Sequence, residues 1–305
     1  MRARDVTDLL LLAALWGGSF LFIRVAVPQF GPFPLMALRT GIGALCLLPF
    51  VLMAGSLGDL RRYGARLFII GILNAALPFV MFGYAMLTMS AGFTSILNAT
   101  VPFWGALVAF FWQGERLGPW RIAGLALGFC GVLVLVWGRV SFGAGGFGLP
   151  IAAVLLATLS YAVAASATRV YLSQVGTLAN AAGSLLGAAL ALSPLAVMYW
   201  PQQSPDLLAW SCALLVGVLS TGLAYVLYFR LIANIGSTGA ITVTFLVPMF
   251  AVLWGGLFLD ESITLNMIAG AAVILAGTAL TTGLIDPGRR LIRTAAAKPA
   301  RRAVR

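Results

Sequence analysis

Histidine is absent from this 305-residue chain, and acid is scarce: eight Asp and Glu stand against nineteen Lys and Arg. Only 9% of the residues are charged, where soluble domains carry roughly 25%. These shortages exclude a good deal. An enzyme working inside a membrane usually needs His, paired Asp or metal ligands there, and a lone serine without a base is no nucleophile. The three cysteines, Cys46, Cys130 and Cys212, lie inside apolar runs. Their spacing suits neither a metal site nor a disulfide. No Gly-Lys-Ser/Thr phosphate loop is present, so ATP hydrolysis is not expected. The pI is near 10.6, but no basic patch alternates with stacking aromatics as nucleic-acid binding would need. No cofactor, metal or nucleic-acid partner is expected.

What is there is apolar. Hydrophobic residues make up 61% of the chain, and mean hydropathy is +1.03. A membrane-crossing helix needs about 20 mainly apolar residues. Ten runs qualify: 9–27, 33–53, 67–88, 93–113, 119–137, 147–168, 178–199, 208–230, 238–259 and 264–284. The reading is an all-α polytopic membrane protein, because lipid leaves unpaired backbone groups no partner outside the segment. Arg2 and Arg4 precede the first run, but no small-residue cleavage site follows, so it is read as an uncleaved span. Lys and Arg favour cytoplasmic loops. With the N-terminus inside, Arg61, Arg62, Arg66, Arg116, Arg121, Arg169 and Arg230 fall inside, as does the basic tail. Only Arg24, Arg39 and Arg139 fall toward the outside. Both termini are therefore expected in the cytoplasm. The tail 286–305 is too polar to span, and the Gly-rich stretch 138–150 is the natural hinge between two halves.

The halves echo each other. Residues 97–117 read LNATVPFWGALVAFFWQGERL and residues 243–263 read VTFLVPMFAVLWGGLFLDESI. Pro102 and Pro248 are 146 positions apart, as are Glu115 and Glu261, and Gly131 and Gly277. Upstream the offset is 145, which matches Arg24 with Arg169 and Pro49 with Pro194. Five spans is an odd number, so the second half must enter the membrane inverted. Ten helices in two inverted five-helix repeats, 1–140 and 147–285, is an architecture of many secondary transporters, with the substrate near the midplane.

The order LWGGSF (15–20), ALRTG (37–41), a Pro102 span ending GERL (114–117) and a Pro248 span ending LDES (259–262) resembles the EamA family. This is the ten-span branch of the drug/metabolite transporter superfamily, and the resemblance covers about 9–284. It implies a transporter of the bacterial inner membrane that moves amino acids or other small metabolites, often outward, without ATP. Multidrug or organic-cation export and flipping of a lipid-linked group are the alternatives within the superfamily. The partners expected are the bilayer and a small solute. Ten spans can enclose a pocket alone, which favours a monomer and leaves a dimer open.

Proline inside a helix frees the carbonyl four residues earlier. Pro102 would free Asn98 and Pro248 would free Thr244, giving two kinked helices facing a shared cavity, or kinks that serve packing alone. Thr94, Asn98, Pro102 and Gly105 are expected on one helical face, as are Ala240, Thr244, Pro248 and Ala251. Glu115 and Glu261 would act as caps before the next span, or as gate carboxylates on opposite membrane faces. All acids map to ends or loops, which disfavours proton-coupled export of cations through a buried carboxylate. Arg24 and Arg39 enter the spans. An Arg at a helix centre costs roughly 2.5–3.5 kcal/mol on insertion scales, so both are expected to snorkel, or else to attract a carboxylate at the outer mouth. Trp16, Ser19, Asn74, Tyr84, Asn98, Tyr161, Ser220, Thr221, Tyr225 and Thr244 are the candidate pocket for a small zwitterion, with Tyr228 on the same face of span eight. Ordinary helix–helix hydrogen bonding is the competing account of each.

Overall fold

The computed structural model describes residues 2–141 and 146–285, with backbone alone at 237 and 238. The tail 286–305 and part of the hinge, 142–145, lie outside the described residues. Among the described residues every element is a helix. In order they are α1 (Ala3–Phe30), α2 (Pro32–Met53), α3 (Leu57–Arg62), α4 (Gly64–Gly71), α5 (Leu77–Ala85), α6 (Ala91–Asn98) and α7 (Val101–Gln113). Then follow α8 (Pro119–Val136), α9 (Gly148–Tyr171), α10 (Thr177–Met198), α11 (Leu207–Gly217), α12 (Ala224–Ala240), α13 (Val243–Leu259) and α14 (Leu265–Thr281). Wider π-helical turns, Ile72–Ala76 and Val218–Leu223, join α4 to α5 and α11 to α12.

Eight stretches are long and apolar enough to cross a membrane, and α13 and α14 are shorter apolar helices. The chain is a multi-pass membrane protein. Large apolar side chains such as Leu45, Phe111, Val197 and Leu265 cover its outer surface. Trp112, Trp120, Trp137, Trp200 and Trp210 stand exposed near helix ends, as aromatic side chains do at a membrane–water boundary.

Each of the ten apolar runs is helical, yet three differ from expectation. Helix α1 starts at Ala3, which makes Asp5 and Asp8 helical and buried, at 5% and 7% exposure. They are not loop residues: Asp8 pairs with Arg230 Nε at 3.1 Å and Asp5 accepts from Asn234 Nδ2 at 3.3 Å. The run around Pro102 is broken rather than kinked. Helix α6 ends at Asn98, and Pro102 sits in the first turn of α7, where its missing N–H costs nothing. The Pro248 run breaks elsewhere: α12 is interrupted at Gly236 (φ 76°), a new start follows at 242–243, and Pro248 lies inside α13. Neither expected polar face therefore runs continuously through its proline.

Packing crosses between the halves. Helix α1 lies along α11, α12 and α13, while α9 lies along α4, α5, α6 and α7. Helix α2 pairs with α10, and α8 with α14. In each pairing one partner precedes the Gly-rich linker and the other follows it. Glycine makes the α8–α14 contact so close that a Cβ on Gly277 would lie 2.6 Å from the Gly128 nitrogen, and one on Gly124 would lie 2.7 Å from the Thr281 nitrogen. The Gly124-xxx-Gly128 pair thus acts as small-residue pairs do in membranes.

The bundle has two ends. The near end holds the N-terminus and the 114–118 and 172–176 turns. At the far end Asp206 caps α11 through Ala209 N–H (2.7 Å), and Gln29 Nε2 donates to it at 2.9 Å. These two bonds, the backbone one first, hold the Asp206 carboxyl below its ordinary range.

Candidate functional site

Some of the buried polar groups lie at or beside the two π turns, and others, such as Thr100 and Thr278, lie around the α6–α7 break. Pro78 accounts for the first π turn: it has no N–H to give Asn74, and the neighbouring Leu73 carbonyl accepts instead from Ser160 Oγ on α9 at 2.7 Å. In the second, Thr221 Oγ1 donates to the Val216 carbonyl five residues back at 2.9 Å. Gly217 and Gly222 flank it and let α2 press close: Cβ atoms there would lie 2.7 Å from Ile42 and 2.6 Å from Cys46. The turns begin at Ile72 and Val218, again 146 residues apart.

Arg39 of α2 points into this junction. It is 8% exposed, so the snorkelling expected from the sequence does not occur, and it stands in the bundle rather than at a mouth. Its Nε donates to Thr221 Oγ1 at 3.2 Å, and its guanidinium carbon lies 3.8 Å from the centroid of the Phe79 ring. That contact is a cation–π pair. Tyr161 and Tyr225 are within electrostatic reach of the same charge. Tyr161 stacks on Phe82 at 6.0 Å and meets Phe79 edge-on at 6.5 Å. Tyr225 neighbours Phe229 at 5.7 Å, Tyr228 neighbours the same ring at 6.2 Å, and Trp16 reaches Tyr228 at 5.3 Å.

The candidates thus separate. Arg39, Thr221, Tyr161 and Tyr225 come together, with Trp16 linked through Tyr228. Asn74 lies in the first π turn, beside Leu73. Ser220 Oγ and Asn98 Oδ1 are buried without a hydrogen-bond partner among the described residues. Three others have no hydrogen bond to the Arg39 group among the described residues. Tyr84 is 41% exposed. Ser19 Oγ donates back to the Trp16 carbonyl at 2.6 Å inside α1, and Thr244 Oγ1 to the Ile241 carbonyl at 2.8 Å at the start of α13. Residues that the sequence reading misses are Phe79, Phe82 and Ser160, and also Thr158 and Thr278. Thr278 Oγ1 donates to the Ala99 carbonyl at 3.1 Å in the α6–α7 break, and Thr100 meets Thr158 at 3.2 Å.

The glutamates part company. Both follow a left-handed residue, Gly114 (φ 68°) or Asp260 (φ 51°), and both backbone N–H groups reach a carbonyl six residues back at 3.2 Å. Glu115 then pairs at the near end with Arg169 (3.0 Å) and Arg121 (3.8 Å). Glu261 instead accepts from the Ala91 and Gly92 amides, at 2.8 and 3.2 Å. It caps α6 of the other half rather than the helix that follows it, whose cap is Thr264. A cavity of about 580 Å³ opens beside it, lined by Arg24, Arg139, Ser90 and Phe93 among others. Arg24 Nη1 donates to the Met86 carbonyl, and Arg139 lies 5.3 Å from the Phe93 ring centroid. Arg39 does not line this cavity.

A family model described as the EamA-like transporter family matches residues 8–137 and again 148–283. The chain is similar to the uncharacterized transporter YoaV of Bacillus subtilis (strain 168), 26% identical over 88% of this chain and 93% of that one. It is also similar to the uncharacterized transporter YvbV of the same organism, 25% identical over 92% of each. A solved crystal structure aligns with 95% of this chain and 99% of its own, at a TM-score of 0.67 and 20% identity, a likeness of fold.

Proposed function

The chain belongs to the EamA-like transporter family, and on that premise we propose that it carries small metabolites such as amino acids across the bacterial inner membrane by alternating access, outward and without ATP. The observation that carries the proposal is the junction around Arg39. It is a polar and aromatic cluster built on a buried arginine beside irregular turns, inside a bundle with a mainly apolar core. Irregular backbone within a membrane is tolerated where protein or a solute path receives it.

In this reading ten helices form two inverted five-helix repeats, 1–140 and 147–285, with both termini in the cytoplasm and the tail 286–305 beside them. The moving bodies are not the two halves of the sequence. The crossed packing favours two mixed bundles: α1 with α11–α13, and α9 with α4–α7. The pairs α2–α10 and α8–α14 join them. Glu261 latches the bundles at the far, periplasmic end through the α6 amides. Its counterpart Glu115 pairs with arginines at the near end. The form seen is thus one with the far latch engaged. The organic-cation alternative is disfavoured, since the buried cluster is positive and holds no acid.

Reconstitution tests the proposal. Purified protein in liposomes should show saturable counterflow of a labelled solute from a panel of amino acids and organic acids, without ATP. Flux of every solute equal to that of empty liposomes would reject it.

A further inference from the structure

No acid pairs with Arg39 among the described residues. Among the described residues the buried or engaged acids are occupied elsewhere: Asp8 by Arg230, Asp5 by Asn234 and the Arg2 amide, Glu115 by Arg169 and Arg121, and Glu261 by the α6 amides. Asp206 is held by Gln29 and Ala209. Arginine does not lose its proton in proteins and has five N–H donors. Only the Nε donor is used, on a neutral hydroxyl. The two terminal nitrogens have no hydrogen-bond partner among the described residues. Among the described residues the Phe79 ring lies against the charge, with the neutral hydroxyls of Tyr161 and Tyr225 in reach. A buried charge that is not paired is costly and is rarely kept without a use. Nor is it a product of the duplication: the 145-residue offset carries Arg39 onto Ser184, a buried serine whose hydroxyl meets Asn180.

We propose that Arg39 is the docking point for the carboxylate of a small monoanionic solute, gripped by the two terminal guanidinium nitrogens while its apolar body lies against Phe79, Phe82 and Tyr161. The proposal rests on the transport reading above and names its substrate class. A guanidinium and a carboxylate match in a planar, two-bond fork. Charge balance then decides among solutes. With one fixed cation and no acid in the cluster, a monocarboxylate leaves the closed site neutral. The ammonium of a zwitterion would find only hydroxyl oxygens and ring faces. An organic cation would face an unscreened guanidinium, and a dianion would bring a second charge without a partner.

Four probes with one body separate these cases: 3-phenylpropionate, 3-phenylpropionamide, phenylalanine and phenethylamine. Each is titrated against the melting temperature of the full-length protein in detergent, where a ligand of the folded state raises it by mass action. The expected order is 3-phenylpropionate first, phenylalanine weaker, and the amide and the amine without effect. The acid–amide comparison needs no variant, so it stands even if a substitution at Arg39 unfolds the protein. Arg39→Lys should weaken 3-phenylpropionate binding roughly tenfold, and Arg39→Gln should remove it. A shift with phenethylamine equal to that with the acid, an acid no better than its amide, or binding unchanged in Arg39→Gln would overturn the site. So would no shift with any probe when counterflow of another solute is saturable, and in that case the transport reading survives alone.

Discussion

At the scale of single residues, the sequence identifies the charged positions and misplaces their roles. Arg39 is visible as a cation inside an apolar run. Edge energetics alone favour snorkelling, because the cost of a buried Arg is reckoned against lipid rather than against Phe79 and Thr221. Those partners lie far off in sequence, and no local period reveals them. Tyr84 shows the opposite failure: an aromatic in the right run that faces out. Glu261 yields a prediction of its own. As a carboxylate it accepts two amides of the other half, and a negative group at a helix N-terminus gains about 0.3–1 kcal/mol from the dipole. Glu261→Gln keeps one acceptor and loses the charge. It should loosen the far end, raising labelling of a cysteine placed at Ser90 by an aqueous thiol reagent several-fold, in a background lacking Cys46, Cys130 and Cys212. Labelling unchanged from the parent would mean the contact latches nothing. Glu115→Gln, at a half-buried site paired with arginines at the other end of the bundle, should leave that labelling as it was.

At the scale of elements, helix identity is legible and helix interruption is not. Hydropathy places all ten runs, since a segment that must bury or face lipid along its length advertises itself. The interruptions depend on small local facts. Pro102 predicts an irregularity, but not that the chain resolves it by ending α6 and restarting, with Thr278 of α14 taking up the Ala99 carbonyl. The π turns have one readable signal, Pro78 four residues after Asn74. The second has no proline and depends on Gly217, Gly222 and a threonine that bonds back to Val216. The α8–α14 pair offers the test. No side chain fits at Gly277 without moving the Gly128 backbone, and overpacking costs about 1–3 kcal/mol. Gly277→Leu should therefore lower the melting temperature in detergent clearly, by several degrees or more. Gly105→Ala, a site with open space around it, should change it little. Equal melting of both variants with the parent would show that the close approach contributes nothing to stability.

At the scale of the whole molecule, the duplication is legible as an echo at 145 and 146 residues. The way the copies embrace is not, because a repeat in sequence says nothing of which copy each helix touches. Cross-linking tests the proposed alternating access. A Cβ on Gly92 would stand 3.0 Å from a Val252 methyl, so the pair Gly92→Cys and Val252→Cys suits a disulfide between α6 and α13. Placed in a cysteine-free background and oxidised, it should abolish counterflow, and reduction should restore it. Full flux through the cross-linked form would rule out separation of these helices as a step of the proposed cycle.

The same embrace sets a timetable for synthesis. Helix α1 leaves the ribosome first, yet the helices it packs along are α11, α12 and α13, which are made near the end. Helices α2 and α8 wait likewise for α10 and α14. For most of translation the early helices sit in the bilayer with their future contact faces uncovered. Uncovered faces of that kind are open to quality-control proteolysis until their partners arrive. A fragment ending at residue 141 should consequently be degraded when made alone, and stable when a fragment beginning at 146 is made beside it. What joins the halves is the surface each waits to meet, and the peptide bond between them serves mainly to deliver both to the same place.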